Sequence, residues 1–236
     1  MTNEGETPGQ LSDSLDLHEI GEASRPLIIS LVCSVLSLIL FAWLSDEVFA
    51  GELQRFDFGV RMKVHELFSP QLTNFMQAMT FLGSIGFLTT LFACIVAVWL
   101  AKGMKRPAAW MTIAVGGSVV LDVTLKLSFH RARPVPFVGV APLTYSFPSG
   151  HALSSFCFYG VLAGLVCSRI ERRGIRILIW TATAALVFAI GLSRIYLGVH
   201  YPTDVIAGYL AAAGWVATLL FAVYARRHAR SQNENG

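Results

Sequence analysis

Three clusters of this 236-residue chain have the residue types to do chemistry together: Lys126 with Arg133-Pro134 seven residues on, Pro148-Ser149-Gly150-His151, and Ser193-Arg194 followed by His200 and Asp204. The cations Lys126, Arg133 and Arg194 suit a phosphoryl group, whose anionic oxygens are stabilised during transfer by fixed positive charge and N–H donors. Arginine presents a planar fork that matches phosphate bidentately, and lysine acts as a point charge, so the set surrounds such a group from different directions. Ser149 reads as the cap of a helix opened by Gly150 and His151, where unpaired N–H groups and the positive dipole end favour an anion. Gly150 lets that anion approach closely.

The two histidines complete a covalent hydrolysis set, which needs a nucleophile on one side of phosphorus and a proton donor on the other. His200 is assigned as nucleophile because Asp204, four residues later, is placed to accept the second ring N–H and to support a charged phosphohistidine. His151 is assigned as general acid and base, protonating the leaving oxygen and then activating water. The carboxylates are too scattered for a two-metal clamp, so no metal and no other cofactor is expected. Of the remaining histidines, His130 reads as a solvent-facing loop residue, and Arg131 either touches a second phosphate or stays in water.

The elements that must position these residues are apolar. Hydrophobic residues make up 54% of the chain and charged residues 14%, with a mean hydropathy of +0.59, a composition suited to a bilayer. Stretches at roughly 27–44, 73–101, 107–127, 150–168, 177–193 and 204–224 are long and apolar enough to span, or nearly span, the hydrocarbon. The second is interrupted by Gly83 and Gly86, and the third carries Asp122 four residues before Lys126, as a partner for the lysine. The expected fold is therefore all-α, a polytopic bundle of six transmembrane helices. Its parts are a disordered cytoplasmic tail over 1–25, a six-span domain over 26–225 and a cytoplasmic tail over 226–236. The formal net charge of +3 is too small to suggest nucleic-acid binding. Cys33, Cys94, Cys157 and Cys167 lie in apolar stretches without metal-type spacing and read as buried free thiols.

Orientation follows from the basic residues. Lys102, Lys105 and Arg106, then Arg169, Arg172, Arg173 and Arg176, then Arg226, Arg227 and Arg230 fall on one side of a six-span chain. That side is expected to be cytoplasmic, with both termini, in a cell inner membrane. The three chemical clusters then meet on the extracytoplasmic face. Between the first two spans, Phe49, Leu53, Phe56, Val60, Val64 and Leu67 recur at helical spacing, with Glu52, Arg55, Asp57, Arg61 and Lys63 elsewhere around the turn. This reads as an amphipathic interfacial helix whose apolar stripe rests on lipid or on the bundle, or which covers the pocket as a lid.

Written as patterns, the clusters are Lys-x6-Arg-Pro, Pro-Ser-Gly-His and Ser-Arg-x5-His-x3-Asp, and in these motifs the chain resembles the type 2 phosphatidic acid phosphatase (PAP2) family over roughly residues 27–224. The resemblance implies a six-span bundle and metal-independent phosphohistidine chemistry. It carries Lys126, Arg133, Ser149, Gly150, His151, Arg194, His200 and Asp204 to the site. It further implies a phosphorylated lipid as partner, of the undecaprenyl diphosphate, phosphatidylglycerol phosphate, phosphatidic acid or lipid A phosphate type. The small bundle and short loops incline towards the first. A vanadate-dependent peroxidase, with His200 as vanadate ligand, and a non-catalytic binder or transporter of phosphorylated lipid are the alternatives. Fold analogy alone does not choose among them.

Overall fold

The computed structural model describes residues 8–140 and 142–234, and among them the secondary structure is helical throughout. The helices are α1 (Pro8–Ala50), α2 (Gln54–His65), α3 (Pro70–Leu82), α4 (Ile85–Ala101), α5 (Lys105–Phe129), α6 (Gly150–Cys167), α7 (Arg173–Tyr196) and α8 (Pro202–Glu234). Five stretches are long and apolar enough to cross a membrane unaided: Arg25–Ala50, Lys105–Phe129, Gly150–Cys167, Arg173–Tyr196 and Pro202–Arg226. The count reaches six when α3 and α4, bent by 48° at their junction, are taken as one span. The helices α1 and α8 run beyond their spans into the segments that the sequence reads as tails. Residues 1–7 and 235–236 lie outside the described residues.

Local chemistry sets the boundaries. Ser69 caps α3, its Oγ accepting the Leu72 N–H at 3.3 Å with Pro70 at the first helical position, and Ser84 caps α4 by accepting from Phe87 at 3.3 Å. The break expected from Gly83 and Gly86 falls at Gly83-Ser84. A Cβ on Gly83 would lie 2.4 Å from Ile190 Cγ2 and 3.2 Å from His151 Cδ2, so the bend seats the α3–α4 junction against α7 and beside a site histidine.

Large apolar side chains such as Ile29, Leu38, Trp43 and Phe188 point outward, and many of the buried residues are Ala, Ser and Cys. That inversion fits a bundle in lipid, where helices associate through close packing and interhelical hydrogen bonds rather than by hiding apolar surface from water. The helix α1 lies along α8, with Ser34 Oγ 2.7 Å from Thr218 Oγ1 and Ser37 Cβ opposite Gly214. Trp215 packs against Gly117 and donates Nε1–H to the Ala114 carbonyl at 3.0 Å, joining α8 to α5. Tyr209 Oη donates to Val187 O at 2.7 Å, joining α8 to α7. Of the cysteines, Cys157 and Cys167 are buried as expected, whereas Cys33 and Cys94 are exposed on outward helix faces.

The interfacial helix departs most from expectation. Leu53 and Val64 pack inward, but the residues of α2 that are fully buried are Asp57 and Arg61, and Phe56 and Phe58 face outward. The apolar stripe is therefore divided between the bundle and the outside, and it does not seat this helix alone. Two charged residues one turn apart seat it as well, Asp57 on Arg131 and Thr203, and Arg61 on the Val135 and Gly198 carbonyls.

Candidate active site

Four helix ends converge on one side of the bundle: the C-termini of α5 and α7 and the N-termini of α6 and α8. Near the end of α5, Lys126 Nζ is paired with Asp122, the partner the sequence proposes for it. The helix stops at His130, which takes a left-handed conformation (φ 49°) and donates its N–H to Lys126 O at 3.1 Å. The His130 ring is exposed and packs edge-on against Tyr145, as expected of a loop residue.

The loop from 130 to 149 is tied to its neighbours through backbone bonds. Phe137 and Val138 N–H groups donate to Leu197 O at 3.0 and 3.2 Å, and Ser149 N–H donates to Asp204 O at 2.9 Å. Arg133 is held by acceptors on two loops: Nε donates to Thr144 O at 2.7 Å, Nη1 to Val199 O at 3.0 Å and Nη2 to Tyr145 O at 3.1 Å. Its Nη1 also lies 2.9 Å from His200 Nε2. Guanidinium nitrogens have only hydrogens to offer, so Nε2 accepts, and the ring proton belongs on Nδ1. Nδ1 faces Asp204 Oδ2 at 3.3 Å, so Nε2 presents its lone pair on the side of Arg133.

His200 and Asp204 are both essentially buried, at 1% and 0% exposure. Burial pushes the His200 imidazole down to about 4, against the pull of Asp204 in the other direction. Asp204 is in the first turn of α8, where a carboxylate also takes the Tyr201 N–H, at 2.9 Å, and completes a cap. Ser146, which the motifs do not include, donates its hydroxyl to the same carboxylate.

Ser149 occupies the N-cap position of α6 but makes no side-chain cap bond, which corrects its reading as a conventional cap. Its Oγ is buried and has no hydrogen-bond partner. Gly150 follows in close contact with the ion pair, since a Cβ would stand 2.9 Å from both Asp122 Oδ1 and Lys126 Nζ and would displace their side chains. Arg194, 7% exposed near the end of α7, donates Nη1 to Thr80 Oγ1 of α3, and its Nε is without a partner.

Lys126, Arg133, Gly150, His151, Arg194 and His200 line one cavity of about 340 Å³, with Asp122 among them. Ser149 and Asp204 lie directly behind that wall. Every residue assigned from the motifs thus falls at this cavity or in contact with a residue that lines it. The cavity continues between α4 and α5 past Ile85, Leu88, Val115 and Val119. One part therefore holds cations and imidazoles, and the α4–α5 part is mostly apolar, with Thr89 and Ser118 among its lining, a shape suited to an amphipathic anion.

Sequence reasoning missed the outer ring of the site. Arg131 does not stand in water or face the cavity: its Nη1 donates to Asp204 Oδ1 at 2.6 Å and its Nη2 to Asp57 Oδ2 at 2.8 Å. Burial lowers its basicity, but Asp204 and Asp57 outweigh that and raise it. Thr80, Thr144, Ser146 and Thr203 belong to no motif. The one available signal was the four-residue spacing of Asp57 and Arg61, which puts them on one face of α2.

A multi-helical membrane bundle with a cationic, two-histidine cavity at its helix ends defines a class of membrane enzymes acting on phosphoryl groups. Residues 107–229 match the model of the PAP2 superfamily, and the chain belongs to that superfamily. It is 27% identical over 172 residues to phosphatidylglycerophosphatase B of Bacillus subtilis (strain 168), covering 72% of this chain and 85% of that protein. It is 31% identical over 195 residues to an undecaprenyl-diphosphatase of Sulfolobus acidocaldarius, covering 77% and 86% respectively. Among solved structures, a transmembrane PAP2-type phosphatidylglycerolphosphate phosphatase from Bacillus subtilis superposes with a TM-score of 0.71 at 26% identity, over 84% of this chain and 96% of that one.

Proposed function

We propose that this membrane phosphatase hydrolyses a lipid phosphate or lipid diphosphate at the extracytoplasmic face through a phosphohistidine on His200. The observation that carries the reading is the two-ended cavity, with Lys126, Arg133, Arg194 and both histidines at one end and apolar α4 and α5 side chains at the other. A phosphorylated lipid matches both ends, its headgroup among the cations and its chain between the helices.

In this mechanism Lys126, Arg133 and Arg194 hold the phosphoryl oxygens, joined by Ser149 Oγ and by N–H groups of the first turn of α6. His200 Nε2 attacks phosphorus as the bond to the leaving oxygen breaks, and His151 gives that oxygen a proton. Asp204 accepts the Nδ1–H and balances the charge the ring acquires. His151 then takes a proton from water, whose oxygen attacks phosphorus, releasing inorganic phosphate and restoring His200. Preorganised donors aimed at the phosphoryl oxygens supply most of the stabilisation of such a transition state.

The basic residues support the orientation. They cluster around the α4–α5 and α6–α7 connections, including the first turns of α5 and α7, and after Tyr224, at the helix ends opposite the cavity. A non-catalytic binder would have the same use for the cations, but none for an imidazole whose tautomer is held by a buried aspartate.

The test is phosphate release by detergent-purified protein in EDTA, comparing wild type with His200→Ala on undecaprenyl diphosphate, phosphatidylglycerol phosphate and phosphatidic acid. Among the described residues no three His, Cys, Asp or Glu side chains converge as a metal would require, so chelation is expected to leave wild-type turnover unchanged. The variant is expected to lose it. A folded wild type that releases no phosphate from any of the three overturns the reading.

A further inference from the structure

The phosphatase mechanism leaves one group of buried charges unused, and it lies behind His200. Asp57 is 1% exposed, sits on α2 and does not line the cavity. Its Oδ1 accepts the Thr203 N–H at 3.0 Å, and its Oδ2 accepts from Thr203 Oγ1 at 2.7 Å and from Arg131 Nη2 at 2.8 Å. Arg131 passes the chain on, donating Nη1 to Asp204 Oδ1 at 2.6 Å and to Thr203 Oγ1 at 2.8 Å. Asp204 meets His200 with its other oxygen. A continuous series of charge-assisted bonds therefore runs from an interfacial helix to the imidazole.

Two physical consequences follow from this series. The Thr203 N–H is one of the unpaired donors at the start of α8, so Asp57 caps from outside the helix that carries Asp204. The second concerns charge. An arginine paired with Asp204 alone would neutralise it and leave His200 facing a dipole. With Asp57 on the other side of the fork, the guanidinium is shared between two carboxylates and no longer neutralises Asp204 alone, while Arg61, the other cation near both carboxylates, gives its Nη2 to backbone carbonyls. Arg61, one turn on, holds the arrangement in place by donating Nη2 to Val135 O at 2.9 Å and to Gly198 O at 3.1 Å, in the loops that bear Arg133 and His200.

We propose that Asp57 is a positioning residue for His200: by holding Arg131 between two carboxylates and capping the first turn of α8, it leaves Asp204 its charge and its geometry for the imidazole. The proposal rests on His200 as the group that attacks phosphorus. The other charged or ionisable groups facing His200 or the two carboxylates are Arg133 in the loop, Arg194 on α7, His151 on α6 and Arg61 on α2, with Lys126 of α5 lining the same cavity, and the variants below leave all of them in place.

The experiment compares Asp57→Asn, Arg131→Gln and the double variant, as full-length protein in detergent, by two readouts. One is kcat and KM for phosphate release from whichever lipid the wild type turns over. The other is the titration midpoint of His200 by histidine-ring NMR, with His200→Ala to assign the signal. Asp57→Asn is expected to lower kcat roughly 10- to 100-fold, the range for losing a partner that orients a reactive group's own ligand, with KM little changed and the His200 midpoint lowered. Adding Arg131→Gln is expected to restore most of both, because Asp204 then recovers its charge. A wild-type kcat and midpoint in Asp57→Asn, or a double variant no better than the single one, overturns the proposal. Should Asp57→Asn not survive extraction, the double variant, which removes one charge of each sign and so keeps the net charge of the wild type, decides: a kcat near wild type supports the charge-sharing role and a dead, folded enzyme refutes it. A wild type releasing no phosphate would count against the phosphatase reading, and the titration would still judge the network.

Discussion

Ser149 Oγ is buried with no partner in the free protein, and a buried hydroxyl without a hydrogen bond costs about 1–3 kcal/mol of stability. Ser149→Ala is therefore expected to leave thermal stability unchanged or slightly higher. In the proposed mechanism the hydroxyl is a donor to the phosphoryl group, so kcat is expected to fall by roughly 10²-fold, on the scale of losing one transition-state donor. Parallel thermal unfolding and phosphate-release assays check both at once. A second expectation concerns acid. With the His200 imidazole held near 4 by burial, against Asp204, the ring stays neutral and nucleophilic well below the ordinary histidine range. The rate kcat/KM is expected to lose its His200 contribution only as pH falls through about 4. The same depressed value means that the unfolded chain takes up this proton first. The stability His200 contributes is complete above about 6.5 and declines as pH falls towards 4. A pH–rate profile beside unfolding midpoints at each pH tests the pair.

At the scale of elements, the site is assembled by helix ends meeting at distances that only glycine allows. A Cβ on Gly208 would lie 2.7 Å from Ser149 O and 3.0 Å from Ala152 Cβ, so α8 rests directly on the turn that opens α6. Gly208→Ala is expected to push α8 off that turn, displacing Asp204 and Ser149 relative to each other. Overpacking of this kind typically costs about 1–3 kcal/mol. The measurable result is a lower unfolding temperature together with a kcat loss larger than that of an alanine at Gly160, where a Cβ meets nothing. The helix α2 shows why element existence was legible and element role was not. Periodicity announces a helix near 49–67, and the structure has one at Gln54–His65. Which face points inward depends on Thr203 and Arg131, more than seventy residues away in the chain.

For the whole molecule, the basic loops and the cavity occupy opposite ends of the bundle. In a cysteine-free background, a cysteine at Val140, in the site loop, is expected to react with a membrane-impermeant thiol reagent added to intact cells. One at Lys102, between α4 and α5, is expected to react only after the cells are opened. The reverse pattern would invert the orientation and remove the extracytoplasmic site.

Hydropathy alone set the helical bilayer-spanning class of this protein, because a span must satisfy its own backbone and show apolar side chains to lipid, and both demands are local. The broken second span, the Asp122–Lys126 pair and the three motifs were likewise legible, since each depends on residues close together in sequence. The motifs also named residues that gather at one cavity, as their spacing reflects helix ends returning to one face. Only the tertiary structure decided that Ser149 is left unbonded and that Gly150 is pressed against Lys126. The same holds for Arg131, which turns away from the cavity to join Asp57 to Asp204. Those outcomes depend on which groups meet across α2, the 130–149 loop and the first turn of α8. A buried charge takes its partner from whatever the fold brings within hydrogen-bond reach, and chain spacing does not encode that distance.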